Sequence, residues 1–306
     1  MTDFIQKLDH LGVISLAGQE KESYLQGQIT ADVKQLHNNN ALTGCHCDAK
    51  GKTWSIFYAI NWQDKIHLIT HLSGLTGSFE AFRKFAVFSK VDIENNSAEY
   101  GLIGGSGDIF ASHIEQFFGE IPSQHLATVA NHEAVVICIE GNEKRWLVMI
   151  NKDAEKRFIN QSPDEHSHWQ VLDIQNGIAH IEAANCNEFV PQMLNMQALG
   201  AISFTKGCYM GQEVVARTKY LGKNKRAAFI LHSQQNIELE AGETLELSIE
   251  ENWRRGGTVL SCATLENQTW LLAVLANDTQ TGAVLRSKAH PEYQFTVLPL
   301  PYSLEL

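Results

Sequence analysis

The chain has 306 residues, 44% hydrophobic and 19% charged with only 6 Pro, which describes an ordered globular protein long enough for two or three cores. No apolar run reaches the ~18 residues a membrane span needs, and the opening MTDFIQKLDHLGVISLAG lacks a continuous signal-peptide core, so a cytoplasmic protein with no membrane partner is expected. A formal net charge of −11 argues against a surface coated for nucleic acid, and the 6 Cys, sparsely spaced, read as reduced thiols.

In chain order, LGVISLAG reads as a strand, and Leu25, Ile29 and Val33 then repeat at helical spacing. TGCHCDAKGKTWSIFYAI predicts two strands joined at the Lys50-Gly51-Lys52 turn. TGSFEAFRKFAVF predicts a helix with Phe79, Phe82 and Ala86 on one face and Ser78 as a cap, and VFSKVDIE a strand after it. GLIGGSGDIF reads as a glycine-rich turn without the Lys-Ser/Thr of a phosphate loop. GDIFASHIEQFFGEIP is a helix stopped by Gly119 and Pro122, and AVVICIE and RWLVMI are short strands. Trp169, in HSHWQVLDIQNG just before a strand-like apolar run, is either core or an aromatic at a pocket lip able to stack on a flat heterocycle. From about residue 226 the texture changes to short β-like runs separated by Gly, Asn, Asp and Glu, which predicts a small antiparallel barrel or sandwich.

One stretch carries chemistry. KGCYMGQEVVART, residues 206–218, sets Cys208 between two glycines in a segment where Lys206, Arg217, Lys219, Lys223, Lys225 and Arg226 are opposed only by Glu213. Nearby positive charge and a helix N-terminus both lower a thiol pKa, and the thiolate is the nucleophile and the metal ligand. GQEVVARTKY supplies that helix, with Glu213 in its first turn and Arg217 in its last. A packed cysteine in a glycine turn beside a solvated basic face is the alternative, and residue types leave it open. No metal cluster is read: Cys45 and Cys47 lack C-x-x-C spacing, and His10, His37, His67 and His71 have no paired spacing.

K-G-C-Y-x-G-Q-E followed by A-R closely resembles the signature of the YgfZ family of folate-binding proteins, which includes assembly factors for four-iron iron–sulfur clusters. The likeness continues through YLQGQITADV, HCDAKGKTWS, FVPQMLNMQALGAISF, ENWRRGGTVL and PLPYSLE. It implies an α+β, aminomethyltransferase-like fold, with two interleaved α+β domains over 1–225 around a central channel and a C-terminal antiparallel β-barrel over 226–306. It implies tetrahydrofolate or another folate derivative as ligand, and a role in maturing or repairing iron–sulfur enzymes such as a radical methylthiotransferase acting on tRNA. Two positions linked with folate fall on Trp169 and Leu11, the second an aromatic in the family, and a pterin-site carboxylate falls near the neutral Gln175. The carboxylate pair of aminomethyltransferases is replaced by Trp54, Ser55 and Ile56. The implied protein is therefore a maturation factor with Cys208 as the reactive thiolate. Lys206 would favour the thiolate, Gln212 and Glu213 would order the loop, and Arg217 would anchor an anionic tail. A folate-dependent one-carbon transferase, or an RNA-binding module using 206–226, are the alternatives.

Overall fold

The computed structural model describes residues 3–159, 164, 167–220, 222, 224–250 and 252–304. Lys223, and with it part of the predicted basic segment, lies outside the described residues, as do Glu251 and Glu305 of the family-like stretches.

The chain opens with β1 (Phe4–Lys7), β2 (Leu11–Ala17) and the short helix α1 (Lys21–Gln26). Then come β3 (Leu42–Cys47), β4 (Thr53–Trp62), β5 (Lys65–His71), α2 (Leu72–Phe85) and β6 (Asp92–Asn95). The next unit holds β7 (Tyr100–Ser106), α3 (Gly107–Phe118), β8 (Thr128–Ala130), β9 (Ala134–Ile139), β10 (Arg145–Asn151) and α4 (Lys152–Phe158). Helices α5 (His168–Gln175) and α6 (Gln212–Tyr220) bracket a loop-rich connection. Last come β11 (Arg226–Ser233), β12 (Thr244–Ile249), β13 (Asn252–Leu265), β14 (Gln268–Ala276), β15 (Val284–Ser287) and β16 (Gln294–Leu298).

Two antiparallel sheets carry the first part, in the orders β3-β4-β5-β2-β6 and β1-β7-β10-β9-β8. The units interleave because β1 crosses over: Phe4 pairs with Ser106 in the second sheet, while Leu11, a few residues on, pairs with His71 in the first. Their inner faces share one apolar cluster, which includes Phe4, Leu11, Tyr58, Ile69, Leu102, Leu147 and Trp169. Helix α2 covers the outer face of the first sheet through Leu75 and Phe82, and α3 and α4 cover that of the second through Phe110, Ile114 and Phe158. The six C-terminal strands close into a barrel in the order β11-β14-β13-β12-β15-β16. On β11, Ala227, Phe229 and Leu231 fill the barrel, while Ala228 and Ile230 pack against the rest of the protein. Strand alternation therefore has two buried faces here, and the run reads as continuously apolar.

The turn at 48–52, helix α3 and the barrel appear where the sequence places them. Five readings change. Helix α1 stops at Gln26, whose carboxamide folds back to Asp32 and the Val33 amide, so Ile29 bridges His46 instead of continuing a helical face. Ser78 lies inside α2, buried, bonding His46 Nδ1 at 2.8 Å and Ser55 Oγ at 2.9 Å instead of capping. The predicted strand at VFSKVDIE shrinks to β6, because 86–90 forms a turn that leaves Phe88 99% exposed. GLIGGSG is no turn but β7, an interior strand, and the apolar run after Trp169 is helix α5. Helix α5 is buried on two sides, with Trp169 and Leu172 in one core and Val171 and Ile174 in another, which hides its helical period.

Candidate functional site

Cys208 sits in a loop pinned at both ends. Ser203 N donates to Thr30 O at 2.9 Å, Met210 N to Gly27 O at 3.0 Å, and the Tyr209 side chain is buried. Lys206 turns inward, its ammonium donating to Ile29 O at 2.8 Å and Ala31 O at 2.6 Å. The whole YLQGQITADV stretch is thus the platform on which the cysteine loop rests. Gly211, at φ +80, closes against the turn at 48–52: a Cβ there would lie 2.5 Å from Asp48 O. Only glycine combines that backbone with that approach.

Cys208 is the exposed cysteine of the six. Burial pushes the Cys45 thiol up to about 12 and the Cys47 thiol well up, so both stay protonated small hydrophobes. Burial also brings the Lys206 ammonium down to about 8, with Asp32 opposing the shift. Its hydrogen bonds are committed to main-chain carbonyls, so it acts as a strut for the loop. Helix α6 begins at Gln212, which is half-buried, and directs its N-terminus back toward the cysteine loop. Glu213 and Arg217 are exposed and pair with each other at 3.5 Å. Lys219 lies 3.8 Å from the Phe204 ring centroid. With Lys206 buried and Arg217 paired, residues 206–220 do not present a continuous row of free cations.

A separate cavity of about 510 Å³ opens where the units meet. Thr43 and Tyr58 come from the first sheet, Asn142 from the end of the second, Asn176 and Ile178 from the segment after α5, and Tyr302 from beyond the barrel. A narrow inner extension of about 10 Å³ shares Thr43, Tyr58 and Ile178, and is bordered by Leu11, Trp169 and His180. The mouth has the size of a drug-like ligand site, and the extension has room for one small group.

The predicted residues therefore fall at two places. Leu11 and Trp169 meet at the inner cavity; Gln175, the last residue of α5, is half-buried and lines neither cavity, its carbonyl accepting at 3.2 Å from Nδ2 of Asn142, which lines the outer one. Cys208, Lys206, Gln212, Glu213 and Arg217 form the other group, and none of them lines the cavity. Trp169 is not at a lip: it is 1% exposed, and the Arg145 guanidinium carbon lies 4.2 Å from its ring centroid. Its benzo ring occupies the space over Gly104, where a Cβ would come within 2.3 Å of Cε3. Gly104→Ala is expected to cost about 1–3 kcal/mol by overpacking, read as a lower urea midpoint with an altered tryptophan emission. At the transferase positions, Ser55 is buried on Ser78, and Trp54 packs near Gly77 and Cys186.

Sequence reasoning missed Arg145, Asp173 and His180, which sit behind Trp169. Asp173 receives Arg145 Nη2 at 2.5 Å and His180 Nε2 at 2.8 Å. Burial alone would raise its carboxyl, but Arg145 and then His180 override this and hold it at about 2. Asp173 follows Trp169 by one helical turn, which was the available signal; Arg145 reaches it from β10, and His180 from the segment just after α5, seven residues on. Among the described residues no group of three or more His, Cys, Asp or Glu side chains is placed to hold a metal ion, and no helix is long and apolar enough to cross a membrane.

The architecture is that of an aminomethyltransferase. The glycine cleavage system aminomethyltransferase T of Bartonella henselae superposes with a TM-score of 0.71 over 98% of this chain and 86% of that one, at 11% identity. Residues 224–290 match the model of the YgfZ β-barrel domain. Over the whole chain, the tRNA-modifying protein YgfZ of Colwellia psychrerythraea is 37% identical, covering 98% of this chain and 94% of its own. That of Photobacterium profundum is 38% identical over 97% and 91%. The chain belongs to the YgfZ family.

Proposed function

We propose that this protein is a folate-binding factor that supports the maturation or repair of iron–sulfur enzymes, and through them the methylthiolation of tRNA. The observation that carries the reading is the cavity of about 510 Å³ where the two sheets and the C-terminal segment meet, with a narrow inner end at Leu11 and Trp169. Its dimensions suit a pterin with its benzoyl arm, and its wall mixes rings with amide and hydroxyl groups: Tyr58, Tyr302, Thr43, Asn142 and Asn176. A fold shared with an aminomethyltransferase and relatives named for tRNA modification support the same reading. Trp169 frames the inner end by its edge, since Arg145 already covers ring surface, and Leu11 offers apolar contact.

Cys208 serves as the reaching thiol. It stands exposed on a loop anchored by Lys206 and Met210, which gives a partner access without disordering the chain. A cluster being built or repaired is cargo here: Cys208 supplies one sulfur, and the client enzyme or a small thiol supplies the other ligands. A one-carbon transferase is disfavoured by the buried hydroxyl of Ser55 where the transferases carry a carboxylate.

The test is calorimetric titration with tetrahydrofolate, together with the methylthiolated-tRNA content of cells. Ile178→Trp, which fills the passage between the two cavities, is expected to abolish tetrahydrofolate binding while the protein still melts cooperatively. Cys208→Ala is expected to keep the folate affinity and to remove support for tRNA methylthiolation. Full support from the alanine variant would reject the thiolate role.

A further inference from the structure

Asp173 is 2% exposed and held ionised, so both its oxygens only accept hydrogen bonds. The His180 nitrogen facing it at 2.8 Å, Nε2, must then carry the ring proton. In the neutral ring this leaves Nδ1 with a bare lone pair, the tautomer logic by which a carboxylate orients a histidine. Nδ1 is buried and finds no hydrogen-bond partner among the described residues. An orphaned buried acceptor is costly, and in native proteins it calls for a reason.

Among the described residues its surroundings supply no partner for that lone pair. The His71 ring centroid lies 6.2 Å away, and His10 lies 5.8 Å beyond His71. Burial, reinforced by the neighbouring His180 and, at His71, also by His10, lowers both, to about 3 for His71 and about 4 for His10, with Asp173 opposing the shift. His71 is already engaged with Ser73 Oγ at 3.0 Å, and His10 through Nδ1 with Gln170 at 3.2 Å, while His10 Nε2, farther along beyond His71, is also buried without a partner among the described residues. The Arg145 guanidinium donates through Nη2 to Asp173 and through Nη1 to the Trp169 carbonyl, its Nε keeping no partner among the described residues, and Glu182 has its carboxyl raised by burial. His180 itself borders the inner cavity beside Leu11 and Trp169. The blind end of the cavity is thus an apolar slot with one oriented, unpaired acceptor behind it.

We propose that His180 is a specificity-determining residue of this cavity, its Nδ1 accepting a hydrogen bond from a ring N–H or amino group on the edge of a flat heterocycle, with Asp173 fixing the tautomer. The inference rests on the folate reading above and names the edge of the ligand that reading requires: a donor edge, entering first. The slot, at about 10 Å³, admits such an edge and not a whole bicyclic ring. A site built to pair a donor rejects an analogue lacking it, because the acceptor is then left buried and unpaired.

The experiment is calorimetric titration of the full chain with tetrahydrofolate and with an analogue methylated at the lactam N–H of the pterin. Wild type is expected to bind tetrahydrofolate at least about tenfold more tightly than the analogue. His180→Gln keeps an N–H for Asp173 but puts nothing at the place of Nδ1, and should lose both that affinity and that preference. His180→Asn, whose carboxamide falls where Nδ1 was, should keep most of the preference. Thermal melts of each variant show that it is folded. Unchanged affinity and preference in folded His180→Gln would overturn the role of His180 and leave the folate reading standing. No tetrahydrofolate binding by wild type would remove both.

Discussion

Between pH 6.5 and about 4.5 the protein is expected to lose stability steeply and to unfold, an effect set by buried neutral histidines. His46 is 1% exposed, stacked on Phe82 with ring centroids 3.8 Å apart, and His67 is 0% exposed, bonded to Ser15 Oγ at 2.9 Å. Burial lowers them to about 3 and about 4 from an ordinary 6.5, the Trp62 carbonyl opposing the shift at His67. The folded state thus refuses protons that the unfolded chain takes up below pH 6.5. Stability is whole above 6.5, falls as the pH drops, and stops falling only below the folded-state values. Each histidine contributes a slope of ~1.4 kcal/mol per pH unit, and the two together ~3, against a total stability of about 5–15 kcal/mol. His10 and His71, lowered in the same direction, steepen the fall. Asp173 works at lower pH: its depressed carboxyl stabilises the fold above about 3.8 and that contribution fades toward about 2, after the histidines have acted. Urea midpoints across this range measure the slope, and His67→Asn should flatten it by ~1.4 kcal/mol per pH unit. A flat profile down to pH 4.5 would refute the account.

The second large effect concerns the ion pair behind Trp169. The Arg145 and Asp173 side chains are 1% and 3% exposed, and Arg145 Nε has no partner among the described residues. Asp173→Ala leaves a guanidinium buried among apolar groups and frees His180 from the carboxylate that orients it. The expected loss is about 3–5 kcal/mol, a large share of the whole. Arg145→Leu should cost a similar amount for the mirror reason. Arg145→Leu with Asp173→Leu should cost less than the sum of the two single changes, because no charge is then stranded. Chemical denaturation of the four proteins gives the coupling directly, and strict additivity would show that the pair does not act as a unit.

What was legible in the sequence was local. Helix α6 follows from the helix formers after Gly211, the hairpin at 48–52 from Lys50-Gly51-Lys52, and α3 from Phe110 and Ile114 on one face. The barrel follows from strand runs without a helical period. The cysteine loop was legible too, since its glycines, charges and Cys208 are contiguous. Where a segment has two buried faces, periodicity fails: α5 reads as a strand for that reason, and β7 as a turn because its glycines are there to admit Trp169 and Phe110. The direction of Lys206 was likewise hidden, since a lysine beside a cysteine in sequence can spend its charge on carbonyls from residues 29 and 31.

By itself, then, the sequence determined several of the local elements, the barrel and the one reactive-looking thiol, because hydrophobic period, turn chemistry and residue type are properties of neighbouring positions. Only the tertiary structure decided that Leu11 and Trp169 share one cavity apart from Cys208, and that Asp173 joins Arg145 to His180. Those contacts join side chains from separate elements. Their charge states and tautomers depend on burial and on partners that no local pattern specifies.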